Sequence, residues 1–140
     1  MMFEREGSVP IQNPTVAQIE RELRRLRSNG PSAYATVTAH DGSYLQTAGS
    51  PAGLLLEKRE DNTGRHYRAF QHTPVVPFAD GTELVFSAGR IRLLAGEWFR
   101  IEQVVEVFSA FLDGRPEPAD LHWRDISSLF GKREAEDDAR

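Results

Sequence analysis

The sequence predicts an α+β fold: an antiparallel sheet of about five to six strands with two helices packed mainly on one face. Residues 33–71 read as four β-favouring runs, separated by turn signals at Asp41-Gly42, Ser50-Pro51-Ala52-Gly53 and Asp61-Asn62-Thr63-Gly64. Val16, Ile19, Leu23 and Leu26 recur at helical spacing, as do Val104, Val105, Phe108, Phe111 and Leu112. The chain has 140 residues, 39% hydrophobic and 27% charged, which suits one globular domain.

Residues 1–12 show no periodicity and are expected to be a loose lead-in. Asn13 can cap a helix, and Pro14 suits the first helical position, where a missing N–H costs nothing. That helix should end near Asn29-Gly30-Pro31. Its arginines are interleaved with Glu20 and Glu22, so it reads as a core-packing helix rather than a basic contact surface.

A two-residue turn at Asp41-Gly42 would set Ala39 opposite Tyr44, Val37 opposite Gln46 and Ala35 opposite Ala48. The Asp61–Gly64 turn would set Lys58 opposite Tyr67 and Glu57 opposite Arg68, the latter an exposed cross-strand ion pair worth roughly 0.2–1 kcal/mol. One face then collects Ala35, Val37, Ala39, Tyr44, Ala48, Leu54, Leu56 and Ala69. The other carries Thr36, Thr38, Leu45, Thr47, Leu55, Glu57, Arg68 and Phe70. A slip of one residue at a turn exchanges these roles.

Pro74 and Pro77 exclude a central strand, so an extended loop follows the fourth run. Leu84–Ser87 and Ile91–Leu94 look like a fifth and sixth strand around Ala88-Gly89-Arg90. A second helix runs from about Ile101 to Leu112 and ends at Asp113-Gly114. Leu121–Arg124 is a brief strand. The chain divides into a lead-in, a single domain over 13–130 and a charged tail over 131–140.

The absence of cysteine excludes disulfides, thiolate ligands and thiol nucleophiles. A net charge of -4 argues against a general nucleic-acid binder, which needs a basic field. No apolar run approaches the roughly 20 residues of a membrane span, and MMFEREGSVP lacks the pattern of a secretory signal, so a cytoplasmic home is expected. Residues 80–125 hold nine acids against five arginines, which would suit a basic protein partner if they formed a patch.

Phosphate-loop and dinucleotide glycine patterns are absent. His66 and His72 would lie about 20 Å apart on one continuous strand, too far to share a metal. Asp113, Glu117, Asp120 and Asp125 cluster in a turn-rich, solvated stretch with nothing to shift a pKa. No catalytic residue, metal site or cofactor is expected. Trp98, Phe99, Trp123, Tyr44, Tyr67 and Phe70 are either core residues or binding anchors, since aromatics serve both roles.

The succession NPTVAQIERELRRL, DGSYLQTAG, LLLEKRE, HYRAF, VVEVFSAFLDGRPEP and LHW, over residues 13–124, resembles a family of bacterial immunity proteins. These belong to polymorphic toxin systems whose toxins are of the deaminase superfamily. The resemblance implies an α+β fold without catalysis, and a protein that neutralises a cognate toxin by binding over its active site or substrate groove. The implied partner is a basic deaminase-fold domain, with no direct contact to nucleic acid or membrane. Tyr44, Glu57, Arg68, Phe70 and Trp98 are the candidate contact residues. Residues 72–97 depart most from the family pattern, which marks the loop there as a specificity region. The alternative is a small-ligand-binding or sensory domain with an apolar pocket against the sheet; a hydrolase or isomerase comes third.

Overall fold

The computed structural model describes residues 1–129. Its centre is a seven-stranded antiparallel sheet in the order β2-β1-β3-β4-β5-β6-β9. The strands are β1 (Met2–Arg5), β2 (Ile11–Gln12), β3 (Tyr34–Thr38), β4 (Tyr44–Ser50), β5 (Gly53–Glu60), β6 (Arg65–Phe70) and β9 (His122–Asp125). A separate hairpin joins β7 (Thr82–Phe86) to β8 (Gly89–Leu93). Among the described residues the named helices are α1 (Val16–Leu23) and α2 (Ile101–Asp113), with a 3-10 turn at Ala95–Glu97 before α2, and residues 127–129 after β9 are helical as well.

The expected α+β class and the helix-covered face are both present. Helices α1 and α2 press Ile19, Leu23, Val104, Val107 and Phe108 against Phe3, Ala35, Val37, Leu45, Leu54, Leu56 and Ala69. Each large side chain so buried contributes about 1.5–3 kcal/mol from removal of apolar surface from water. Helix α1 begins two residues later than Asn13 and Pro14 would place it: Thr15 is the cap, and Thr15 and Gln18 exchange side-chain-to-backbone bonds at 2.9 and 3.1 Å. It is also shorter than expected, closing at Arg24 rather than near Gly30. Helix α2 ends as expected on Gly114, whose φ of 67° is the left-handed conformation of a glycine cap.

Three expectations need correction. Residues 2–5, read as a loose lead-in, form a strand beside β3, with Phe3 opposite Val37 and Arg5 opposite Ala35. Phe3 is buried in the main core, and that burial fixes the strand. The sequence strands after residue 80 do not extend the sheet but form the β7–β8 hairpin, which covers part of its second face. There Leu84 and Leu93 join Ala48, Leu55, Val76 and Trp98 in a smaller core.

The third correction concerns register. Thr38 pairs with Tyr44, Val37 with Leu45 and Ala35 with Thr47. The loop holds His40, Asp41 and Gly42, closed by Ala39 N–H to Ser43 O at 2.8 Å and Gly42 N–H to Ala39 O at 3.1 Å. Gly42, at φ 94°, takes the left-handed position of a three-residue loop with a bulge, a second use of Asp-Gly besides the two-residue turn. The next hairpin pairs Ala48 with Leu55, again one residue from expectation, so the two offsets cancel beyond β4. Strand β4 alone is turned over: Leu45 and Thr47 go to the helices, Tyr44 and Ala48 to the second face. The third hairpin matches expectation, with Glu57 opposite Arg68 and Lys58 opposite Tyr67. The charged tail over 131–140 lies outside the described residues.

Candidate functional site: a trough on the second face of the sheet

Tyr34 on β3, Tyr44 and Gln46 on β4, Glu57 on β5 and Arg68 on β6 share the face away from the helices, by strand alternation and the observed registers. The β7–β8 hairpin stands along one side with Phe86, Arg90 and Ile91, and the chain after β9 adds Ile126 and Leu129. Together they bound a cleft of about 390 Å³. A shallower groove of about 380 Å³ continues over Glu4, Arg5, Glu6, Thr36 and Thr38 and shares Tyr34, Tyr44 and Gln46 with the cleft. The two form one trough crossing the strands from β6 to β1.

The hairpin is held over this trough by its tip. Ser87 Oγ donates to the Glu6 carboxylate, 2.8 Å from each oxygen, while Glu6 Oε1 also accepts from Ala33 N–H at 2.9 Å. At the floor, Arg68 Nε donates to Glu57 Oε2 at 2.8 Å, with side chains 8% and 17% exposed. The expected cross-strand pair is therefore present, but it is buried rather than solvated. The two terminal nitrogens of Arg68 make no hydrogen bond among the described residues, and neither do the Tyr34 hydroxyl, the Tyr44 hydroxyl or the Gln46 amide. The trough thus collects several polar groups with unused hydrogen-bonding capacity on a rigid sheet. Burial pushes the Tyr44 phenol above its ordinary value, with Arg59 opposing the shift and Glu57 adding to it.

Of the five residues nominated from sequence, Tyr44, Glu57 and Arg68 come together here. Phe70 does not line the cleft: its ring stacks on His122 at 5.3 Å and meets His72 edge-on at 5.7 Å. Trp98 is 3% exposed and packs against Phe78 at 4.6 Å, so it is a core residue of the smaller cluster, not a surface anchor. Trp123 covers the edge of the main core, with Lys58 Nζ 4.3 Å from its ring and its indole N–H donating to Glu117 at 3.1 Å. His66 lies near Tyr44 at 6.5 Å and His72 near His122 at 4.4 Å, so the two histidines of the 66–72 segment have different neighbours. Tyr34, Gln46, Arg90 and Glu4 were missed. The alternation of Tyr34 with Thr36 and Thr38 was a usable signal for the first; the others depend on the β4 register, the hairpin's place and, for Glu4, the pairing of β1 with β3.

Part of the acid-rich segment is engaged in ion pairs and hydrogen bonds, while Glu106 and Asp120 line one shared groove between α2 and the loop before β9. Glu97, 1% exposed, pairs with Arg124 at 2.9 Å, and Asp113 pairs with Arg115 at 3.3 Å. Asp80 accepts Ala95 N–H at 2.6 Å. Hydrogen bonds from Ser127 hold the Asp125 carboxyl below the usual range. Glu83, Glu106 and Asp120, on β7, α2 and the loop before β9, have no hydrogen bond or ion pair among the described residues.

No protein-family model matches the chain, and no curated protein matches it. Among the described residues, no helix is long and apolar enough to cross a membrane.

Proposed function

We propose that this chain is a cytoplasmic immunity protein that binds a cognate bacterial toxin, of deaminase fold, and blocks its active site or substrate groove without catalysis of its own. The observation that carries the reading is the convergence of Tyr44, Glu57 and Arg68 in one open trough, walled by the 72–97 segment that departs most from the family pattern. Rigid aromatic rings and a buried arginine with donors to spare are the residue types that dominate binding energy at protein interfaces. The carboxylate that lines the cleft, Glu57, is paired with Arg68, and His66 lines the same cleft beside Tyr44. A net charge of -4 favours encounter with a basic domain.

The test is co-expression with the toxic domain encoded immediately upstream. Survival of the cells and copurification of a stable complex support the reading; a demonstrably toxic neighbour that is neither neutralised nor bound removes it. One observation favours a second reading: about 390 Å³ is within the roughly 300–1,000 Å³ of small-molecule sites. Thermal stabilisation by an anionic metabolite in the absence of any toxin would select it.

A further inference from the structure

The trough is electrically two-ended. At the β6 end, the Arg68 side chain is more than nine-tenths buried, yet only its Nε is used, on Glu57. Its two terminal nitrogens line the cleft and stay open to solvent, so they can offer a carboxylate a charge-assisted, bidentate pair without giving up a protein partner. Arg90 stands beside it on the hairpin, exposed and without an ion pair among the described residues. Lys58, the other cation of the lining, is already engaged over the Trp123 ring. At the β1 end, Arg5 is tied to Glu22 at 2.9 Å and Glu6 to Ser87 and Ala33. Glu4 is exposed there and has no hydrogen bond or ion pair among the described residues.

We infer that the trough receives an extended segment of the partner protein, lying across the strands, with an acidic side chain at Arg68 and Arg90 and a basic side chain at Glu4. Four strand spacings separate β6 from β1, about 19 Å, so the two charged residues of that segment are about six residues apart in extended chain. Between them, the Tyr34 and Tyr44 hydroxyls and the Gln46 amide face the segment's backbone. A rigid floor of this kind lowers the ordering cost of binding, and the opposed charges fix which way the segment runs. The inference rests on the toxin-binding reading and specifies its interface.

The test compares the affinity of the upstream toxic domain for the wild-type protein, Arg90→Glu and Glu4→Lys. Both sites are exposed, so thermal melts matching wild type establish that the variants fold. Each reversal should weaken the complex about tenfold or more at low salt, with a reduced salt dependence. A wild-type complex that both variants reproduce within about twofold overturns the inference and leaves the toxin reading standing. No complex with the wild-type protein overturns both. Inorganic phosphate and AMP are titrated in parallel. Saturable binding of either that Arg90→Glu abolishes, with toxin affinity untouched, identifies a small-anion site and overturns the inference as well.

Discussion

Arg68 Nε donates to Glu57 Oε2 at 2.8 Å between neighbouring strands, on a face where both side chains are largely out of water. Removing one partner of such a pair strands the other charge, whereas replacing both by apolar groups removes the desolvation penalty altogether. Glu57→Ala should cost about 2–3 kcal/mol in urea unfolding. The double variant Glu57→Leu, Arg68→Met should lie within about 1 kcal/mol of wild type while losing toxin affinity. Equal and additive losses for the two single changes would show that the pair is not coupled.

Gly49 and Gly114 both sit at positive φ, but their surroundings differ. A Cβ at Gly49, φ 125°, would meet the Gly53 carbonyl oxygen at 2.4 Å, which is backbone that cannot step aside. A Cβ at Gly114, φ 67°, meets nothing within 4 Å. Gly49→Ala should therefore cost about 3 kcal/mol or more, and Gly114→Ala about 1 kcal/mol, the left-handed strain alone. Thermal or urea unfolding of the two variants checks the order.

Tyr44 should ionise above the ordinary 10.0, because burial disfavours its phenolate. The sign follows from linkage: the folded state holds the proton more tightly, so this stabilisation is complete below pH 10.0 and is lost as pH rises through the folded value. Subtracting the ultraviolet phenolate titration of Tyr44→Phe from that of wild type isolates the group. A midpoint at or below the ordinary value would contradict its half-buried place in the trough.

Trp98 Nε1 is a buried side-chain donor without a partner in the described structure. Trp98→Phe loses packing but also removes an unsatisfied N–H, whose burial costs about 1–3 kcal/mol, so the two effects oppose each other. The net change should stay within about 1 kcal/mol, with no effect on toxin affinity. A large loss of affinity at unchanged stability would return Trp98 to the interface.

The residues also explain how far the sequence could be read. The Asp61–Gly64 turn was legible because a loop of that length leaves one register, which sets Glu57 beside Arg68 and Lys58 beside Tyr67. Asp41-Gly42 was not, because a left-handed glycine serves two loop lengths, and the choice between them decides which way Tyr44 points. Strand β1 was invisible: Met2–Arg5 has no alternation of its own and gains its register from β3. The β7–β8 strands were recognisable as strands, but nothing local says that they leave the main sheet and wall a trough. Glu57 and Arg68 could thus be placed together from sequence, while Arg90 and Glu4 depend on tertiary packing.

The most direct measurement is hydroxyl-radical footprinting of the protein alone and in complex with the upstream toxic domain. If the second face is the interface, Tyr34, Tyr44, Phe86 and Ile91 lose reactivity on binding, while Tyr67, Phe111 and Leu112 on the helix side keep theirs. Protection confined to the helix side, with the trough as reactive as in the free protein, would contradict the account.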